Sequence, residues 1–327
     1  MMNTIQGIST DQAERPPLHH LLKLVLAITV LVPVWLFTVL ATRAESVPPK
    51  PTAEPAKAAK QSVYTTFLPL VTITLPPVSP KKGLAWTYQY CEDVNSIRAL
   101  WVYDWGMNPK ICNSSLESIP MIRDADQWAR SKQVGGNSQW ILGFNEPDLC
   151  PDQACLTPAQ AIPLWHEIEA QFPNKKLVAP VPSQVHLNWL VEFRDGYIAT
   201  YGTPPRFDAL AMHWYGFSHA HAKAVIDWYK ARATEFGVRE LWLTEFSFPI
   251  ADKGTCCGYS QTDVMNDAQK LMTDLDNDPM ITRYAWFAPR IDPGDPLLVL
   301  GTAQCGGPLL DFTGKTLTNW GTMYRAH

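Results

Sequence analysis

Apolar residues along this chain fall into two rhythms. Short runs rich in Trp, Tyr, Ile, Leu and Val occupy residues 83–90 (GLAWTYQY), 99–105 (ALWVYDW), 119–125 (IPMIRDA), 140–147 (WILGFNEP), 176–183 (KLVAPVPS), 207–215 (FDALAMHWY), 240–246 (ELWLTEF) and 283–289 (RYAWFAP). Each has the length of a strand and is apolar along most of it, as strands covered on both faces are. Between several of them, residues 157–172 (TPAQAIPLWHEIEAQF), 220–237 (AHAKAVIDWYKARATEFG) and 261–278 (QTDVMNDAQKLMTDLDND) space their apolar positions for one face of a helix and leave charge on the other. Strand followed by helix, repeated, predicts a parallel sheet. Eight such strands between Gly83 and the end of the chain, in a stretch close to the ~250 residues that a (β/α)8 TIM barrel needs, predict that α/β fold. No glycine-rich phosphate fingerprint follows the first strand, which argues against an open dinucleotide-binding sheet.

The pattern changes before residue 83. Residues 1–23 are polar, and 24–41 (LVLAITVLVPVWLFTVLA) carry no charge and are long enough to cross a bilayer as a helix. This run predicts an uncleaved transmembrane anchor, with a cleaved signal peptide ending near Thr42-Arg43-Ala44 as the alternative. Residues 42–82 are Pro-rich and read as a linker, although 67–75 (FLPLVTITL) suit a strand as well. Basic residues flank the apolar run on both sides, so charge does not orient it. All seven cysteines, at 91, 112, 150, 155, 256, 257 and 305, lie beyond the run. They suit disulfides in an exported domain and lack the paired spacing of a zinc site. Cys150 with Cys155, and Cys256 or Cys257 with Cys305, are candidate pairs. The expected location is therefore a membrane-anchored, extracytoplasmic catalytic domain over 83–327, or a secreted one.

Charge and composition narrow the partners. The formal net charge is −4 with no basic run, which argues against nucleic acid. Thirteen Trp and eleven Tyr supply flat apolar faces that suit sugar rings as well as cores. An oligosaccharide or polysaccharide substrate and a monomer are expected. No metal or cofactor is expected: the histidines of HWYGFSHAH (213–221) have no ligand partner at suitable spacing, and DLDNDP (274–279) lacks the glycine and closing Glu of a calcium loop, so it reads as a helix end. A G-x-S-x-G elbow is missing, which argues against the usual serine hydrolase.

Chemistry in a parallel barrel sits where strands end. The fourth run stops on Glu146 and the seventh on Glu245. Two carboxylates facing each other across a sugar are what glycoside hydrolysis requires, one as acid/base and one as nucleophile. Asn145 lies beside the first, and Trp101, Tyr103, Trp214 and Trp286 lie near other strand ends as candidate sugar-stacking rings. Tyr215 is expected to donate to Glu245. His213 is a second donor, or else a structural hydrogen bond within the barrel.

The ordered set GLAW, WVYDWG, GFNEPD, AMHWYG, WLTEF and RYAWF, over residues 83–325, resembles the glycosyl hydrolase catalytic core family known as glycoside hydrolase family 128. That resemblance implies a retaining endo-β-1,3-glucanase on a (β/α)8 barrel. It further implies that Glu146 is the acid/base, Glu245 the nucleophile, and Asn145 the partner of the sugar 2-hydroxyl. Two features depart from the family pattern: PMIRDAD, where an aromatic often follows PM, and Asp104, where Asn is common. A related glycosidase acting on another glycan, such as a xylosidase or arabinofuranosidase, and a non-catalytic glycan-binding barrel are the alternatives.

Overall fold

The computed structural model describes residues 77–183, 186–248, 255–256, 259–290 and 307–327. The expected anchor, almost all of the linker and the 67–75 stretch lie outside the described residues, as do Cys257, Cys305 and the side chain of Cys256. Among the described residues no helix is long and apolar enough to cross a membrane.

Ten strands and seven helices are described. The strands are β1 (Lys82–Ala85), β2 (Trp101–Tyr103), β3 (Glu117–Ser118), β4 (Trp140–Leu142), β5 (Lys176–Val178), β6 (Leu210–Tyr215), β7 (Leu241–Ser247), β8 (Thr255–Cys256), β9 (Tyr259–Ser260) and β10 (Ile281–Trp286). The helices are α1 (Cys91–Ile97), α2 (Ala125–Arg130), α3 (Pro158–Gln171), α4 (Asn188–Tyr201), α5 (His219–Phe236), α6 (Gln261–Asn277) and α7 (Asn319–Ala326). One sheet runs β3-β2-β1-β10-β7-β6, with every pairing parallel. β4 pairs with β5, also in parallel. Parallel bridges from Met121 to Leu142 and from Val178 to Ala209 join the two sheets at both ends. The pairings thus form a closed circuit of parallel strands, the α/β arrangement that the two rhythms predicted. β8 and β9 form a separate antiparallel hairpin.

Element boundaries follow local chemistry. α3 begins with a capping box in which Thr157 and Gln160 satisfy each other's backbone N–H, with Pro158 in its first turn. α5 starts on the Ser218 cap and stops at Gly237, whose φ of 74° suits a residue without Cβ. The third strand departs from expectation. The run expected at 119–125 pairs earlier, at Glu117–Ser118, and within 119–125 the pairing is confined to the Met121 bridge. Pro120 lacks the N–H a ladder requires, which limits pairing there.

Burial separates the layers. Ala85, Trp101, Tyr103, Met121, Trp140, Leu142, Val178, Ala211, Trp242 and Ala285 form one buried cluster inside the circuit. Two further clusters, which include Trp286 with Tyr324 and Phe144 with Trp165, lie between strands and helices. Trp140 packs on Trp242 at 4.7 Å with the rings tilted, and the Arg283 guanidinium caps Trp242 at 4.5 Å while pairing with Glu117 at 2.6 Å.

Lys82, at the start of β1, is fully buried. Its ammonium donates to the carbonyls of Tyr324 at 3.0 Å and Arg325 at 3.3 Å, near the end of α7. Burial, reinforced by nearby Arg98 and Arg325 and opposed by Asp276, pushes its pKa down to about 7. In the unfolded chain the group titrates near 10.5, so between those values the unfolded state holds the extra proton and stability rises with pH. Urea unfolding of wild type and Lys82→Met should therefore diverge as pH climbs from 7 towards 10. Wild type should gain up to roughly 1 kcal/mol per pH unit relative to the variant, and parallel curves would contradict a neutral buried amine.

Candidate active site

β7 does not alternate cleanly. Met212 of β6 pairs with Leu243, but the next residue, His213, pairs with Glu245, and Tyr284 and Trp286 of β10 pair with Leu243 and Phe246. Thr244 is therefore an extra residue, a β-bulge in β7. Without it, the alternation that sends Trp242 into the interior would send Phe246 inward and Glu245 out to the helices. The bulge re-aims Glu245 inward, as bulges do beside active sites.

Glu245 arrives among donors. Its Oε1 accepts from Tyr103 Oη at 3.0 Å and Trp105 Nε1 at 2.9 Å, and its Oε2 accepts from the Tyr215 hydroxyl. The single Tyr103 O–H is shared with the Thr244 carbonyl, also at 3.0 Å, which ties the bulge to β2. Burial, then the negative charge of Glu245, pushes both tyrosine hydroxyls well above their usual range, so each remains a donor. Glu245 is 5% exposed. The carboxylate is thus fixed in position by three side chains from two strand ends.

Glu146 follows β4 and sits at φ 40°, in the left-handed region. Its N–H donates to Val181 O at 2.8 Å, and its carbonyl accepts from Leu149 N at 3.0 Å, which hold the turn. His213 Nδ1 lies 2.9 Å from Glu146 Oε1 and 3.6 Å from Glu245 Oε2. Burial alone would lower the imidazole pKa. The charge of Glu245 and the hydrogen bond to Glu146 outweigh it, and the net shift is upward. The ring thus lies between the two carboxylates, and in its protonated form it offsets their mutual repulsion.

Asn145 is buried, with Nδ2 donating to Gln153 Oε1 at 3.0 Å and Oδ1 lacking a protein partner. Glu146, His213 and Glu245 are also the described grouping whose ligand-type atoms, within 4.8 Å of one another, could surround a cation. Protein groups already bond both Glu245 oxygens and Oε1 of Glu146.

The expected stacking residues need correction. Trp101 is 1% exposed, donates from Nε1 to Lys81 O at 2.9 Å and packs on Trp242 inside the circuit, at the end where strands begin. Trp286 is 0% exposed and faces outward, against Trp320, Tyr324 and Phe246, with Nε1 donating to Gly307 O. Trp214 likewise points outward, to His221 and Phe248. Neither Trp101 nor Trp286 offers a sugar a face: parity turns Trp286 outward, and depth places Trp101 two residues below Tyr103 in the interior. Tyr103 lies at the site, but as a buried donor to Glu245. His213 and Tyr215 touch the carboxylates. Half-exposed rings at the site belong instead to Trp105 and Phe287, edge to face at 5.8 Å, with Tyr215 on the other side of Phe287 at 5.8 Å.

Trp105 was not anticipated. Asp104 accepts from Gly106 N at 3.0 Å and from Lys110 N, shaping a turn in which Trp105 takes φ 59°. Burial pushes the Asp104 carboxyl up, while those backbone donors oppose it. A tryptophan followed by glycine directly after a strand, at the end where the catalytic residues lie, was the available signal.

The sequence profile of the glycosyl hydrolase catalytic core matches residues 71–324. The chain belongs to that family. It is a glycoside hydrolase. An endo-β-1,3-glucanase of family 128, subgroup I, from Amycolatopsis mediterranei, solved with laminaritriose, superposes with a TM-score of 0.57 at 27% identity and covers 76% of this chain and 99% of that one. An exo-β-1,3-glucanase of subgroup V from Cryptococcus neoformans gives 0.60 at 24% identity over 76% and 99%, a likeness of fold alone. Alkali-sensitive linkage protein 1 of Schizosaccharomyces pombe is 26% identical over 231 residues, 66% of this chain and 40% of that protein. The chain thus spans about two fifths of that relative's length. Two disulfides, Cys91–Cys112 and Cys150–Cys155, are consistent with a family member outside the cytosol. The second was expected from its spacing; the first was not.

Proposed function

We propose that this family member is a retaining endo-β-1,3-glucanase on a (β/α)8 barrel, with Glu245 as nucleophile and Glu146 as acid/base. The observation that carries the mechanism is the closeness of the two carboxylates, an oxygen of each lying within 4.8 Å. Inverting enzymes separate theirs by ~6.5–9.5 Å to admit water, whereas ~5–5.5 Å suits direct attack on the sugar. Glu245, immobilised by Tyr103, Trp105 and Tyr215, attacks the anomeric carbon while Glu146 in its acid form protonates the departing glycosidic oxygen. The carbon–oxygen bond breaks and a glycosyl ester with Glu245 forms. Glu146 then takes a proton from water, whose oxygen displaces Glu245, and configuration is retained.

The choice of glucan rests on the Amycolatopsis relative, named as an endo-β-1,3-glucanase and solved with laminaritriose. A cavity of about 660 Å³ opens beside the loop after Glu146, lined by Pro147, Asp148, His186, Trp189, Glu192 and Trp228, and neither carboxylate lines it. On the sequence alone we divide the chain into a polar segment (1–23), an anchor or signal (24–41), a linker (42–82) and the catalytic domain (83–327), placed outside the membrane or secreted, and acting as a monomer.

The test is reducing-sugar release from β-1,3-, β-1,4- and mixed-linkage glucans, with product lengths. The expected result is cleavage of β-1,3-glucan, rising steeply from disaccharide to pentamer, with short oligosaccharides appearing first. Equal rates on disaccharide and polymer, with monosaccharide the sole product, would assign exo action. No release from any β-1,3-glucan would overturn the substrate reading.

A further inference from the structure

The segment Cys150 to Cys155 is closed by a disulfide and folds back on β4. Ala154 N donates to Asn145 O at 3.1 Å and Leu156 N to Pro147 O at 2.7 Å. The side chain of this loop that reaches Asn145 is Gln153. The Gln153 Oε1 accepts from Asn145 Nδ2 at 3.0 Å and from Arg123 Nη2 at 3.3 Å. Arg123 is itself held, with Nη2 donating to Asp152 O at 2.7 Å, Nη1 paired with Asp124 at 3.2 Å, and its carbonyl accepting from Asn145 N at 3.0 Å.

The direction of these bonds follows from chemistry. A guanidinium only donates, so the Gln153 atom facing Arg123 is its oxygen. That same oxygen faces Asn145, which must therefore present its NH2. The Asn145 carbonyl oxygen is turned the other way, buried and without a protein partner. A buried acceptor left unpaired is costly, and a hydroxyl of the bound sugar would complete it.

We propose that Gln153, held by Arg123 and the disulfide-closed loop, is a positioning residue that sets the amide of Asn145. It thereby makes turnover depend on a sugar hydroxyl next to the reacting carbon. The inference rests on the hydrolytic reading of this site. Gln153 is half-buried and lies in a loop, so its replacement leaves the fold intact.

The experiment is a double-mutant cycle on the full chain, cleaving a β-1,3-linked glucose pentamer. Gln153→Ala should lower kcat roughly tenfold with KM little changed, as expected when an interaction realised in the transition state is misplaced. Gln153→Glu, which keeps an acceptor for both Arg123 and Asn145, should recover most of the loss. Asn145→Ala with Gln153→Ala should be no slower than Asn145→Ala alone, because Gln153 acts through Asn145. Losses that multiply in the double variant, or a Gln153→Ala chain at wild-type kcat, overturn the proposal. Such a result beside an inactive Glu146→Gln chain removes the positioning role and leaves hydrolysis standing. A fully active Glu146→Gln chain removes Glu146 from the mechanism, and a wild-type chain that releases no sugar from the pentamer removes the hydrolytic reading itself.

Discussion

Glutamine at position 146 or 245 should lower kcat by roughly 10²–10⁴ or more, with thermal stability close to wild type. The change is isosteric, and the hydrogen-bonding frame survives it in part. Tyr103, Trp105 and Tyr215 can still donate to an amide oxygen at 245, and His213 to one at 146. What disappears is a nucleophile in one case and a transferable proton in the other. Stereochemistry separates the roles. Azide added to Glu245→Gly with an activated β-glycoside should yield the α-glycosyl azide, since attack comes directly from the vacated face. Azide added to Glu146→Ala should yield the β product, because the ester on Glu245 forms first and is then displaced. The reverse pair of products would exchange the two assignments.

The largest effect on stability is expected at Arg290, far in sequence from either carboxylate. Its guanidinium is 5% exposed and bonds Asp93, which is fully buried, through Nε at 2.9 Å to each oxygen and through Nη2. The same group lies over the Tyr90 ring at 4.3 Å. Gly314 at φ 73° approaches it so closely that a Cβ there would lie 1.9 Å from Nη2. The pair thus fastens α1 to the chain on either side of residues 291–306. Burial raises the Asp93 pKa even with Arg290 present, so removing Arg290 leaves an uncompensated charge. Arg290→Ala should lower the unfolding free energy by about 3–5 kcal/mol. Arg290→Met with Asp93→Leu should recover much of that, because the desolvation cost goes with the charges. Urea denaturation checks both. A single variant within 1 kcal/mol of wild type, on that same order-of-magnitude scale, would show the pair to be dispensable.

The elements were legible because a strand covered on both faces and a helix covered on one leave distinct apolar periods. The helices expected at 157–172, 220–237 and 261–278 form within a residue or so of those limits. Strand ends rich in carboxylate pointed to Glu146 and Glu245, and the resemblance sorted their roles. Parity was harder to read. In RYAWF the ring at the site is Phe287, not its neighbour Trp286, because one step along a strand moves a side chain to the other face. In ELWLTEF, strict alternation sends Glu245 outward, and only the extra residue at Thr244 brings it in. A bulge depends on both neighbouring strands, so a single run of letters does not reveal it. The Cys91–Cys112 bond is of the same kind: it joins the start of α1 to the segment between β2 and β3, which meet only once the strands are side by side.

The backbone at Glu146 and Trp105 has a consequence across generations. Both residues hold a left-handed conformation that costs a side-chain-bearing residue roughly 1–2 kcal/mol and glycine almost nothing. At Glu146 glycine or asparagine would relieve that cost, whereas Trp105 also packs edge to face on Tyr103 and Phe287 and so returns part of it. A descendant no longer selected for cleaving sugars should therefore lose Glu146 early, well before the buried tryptophans that keep it folded. Survival of Glu146 in any descendant would mark continued selection for the chemistry.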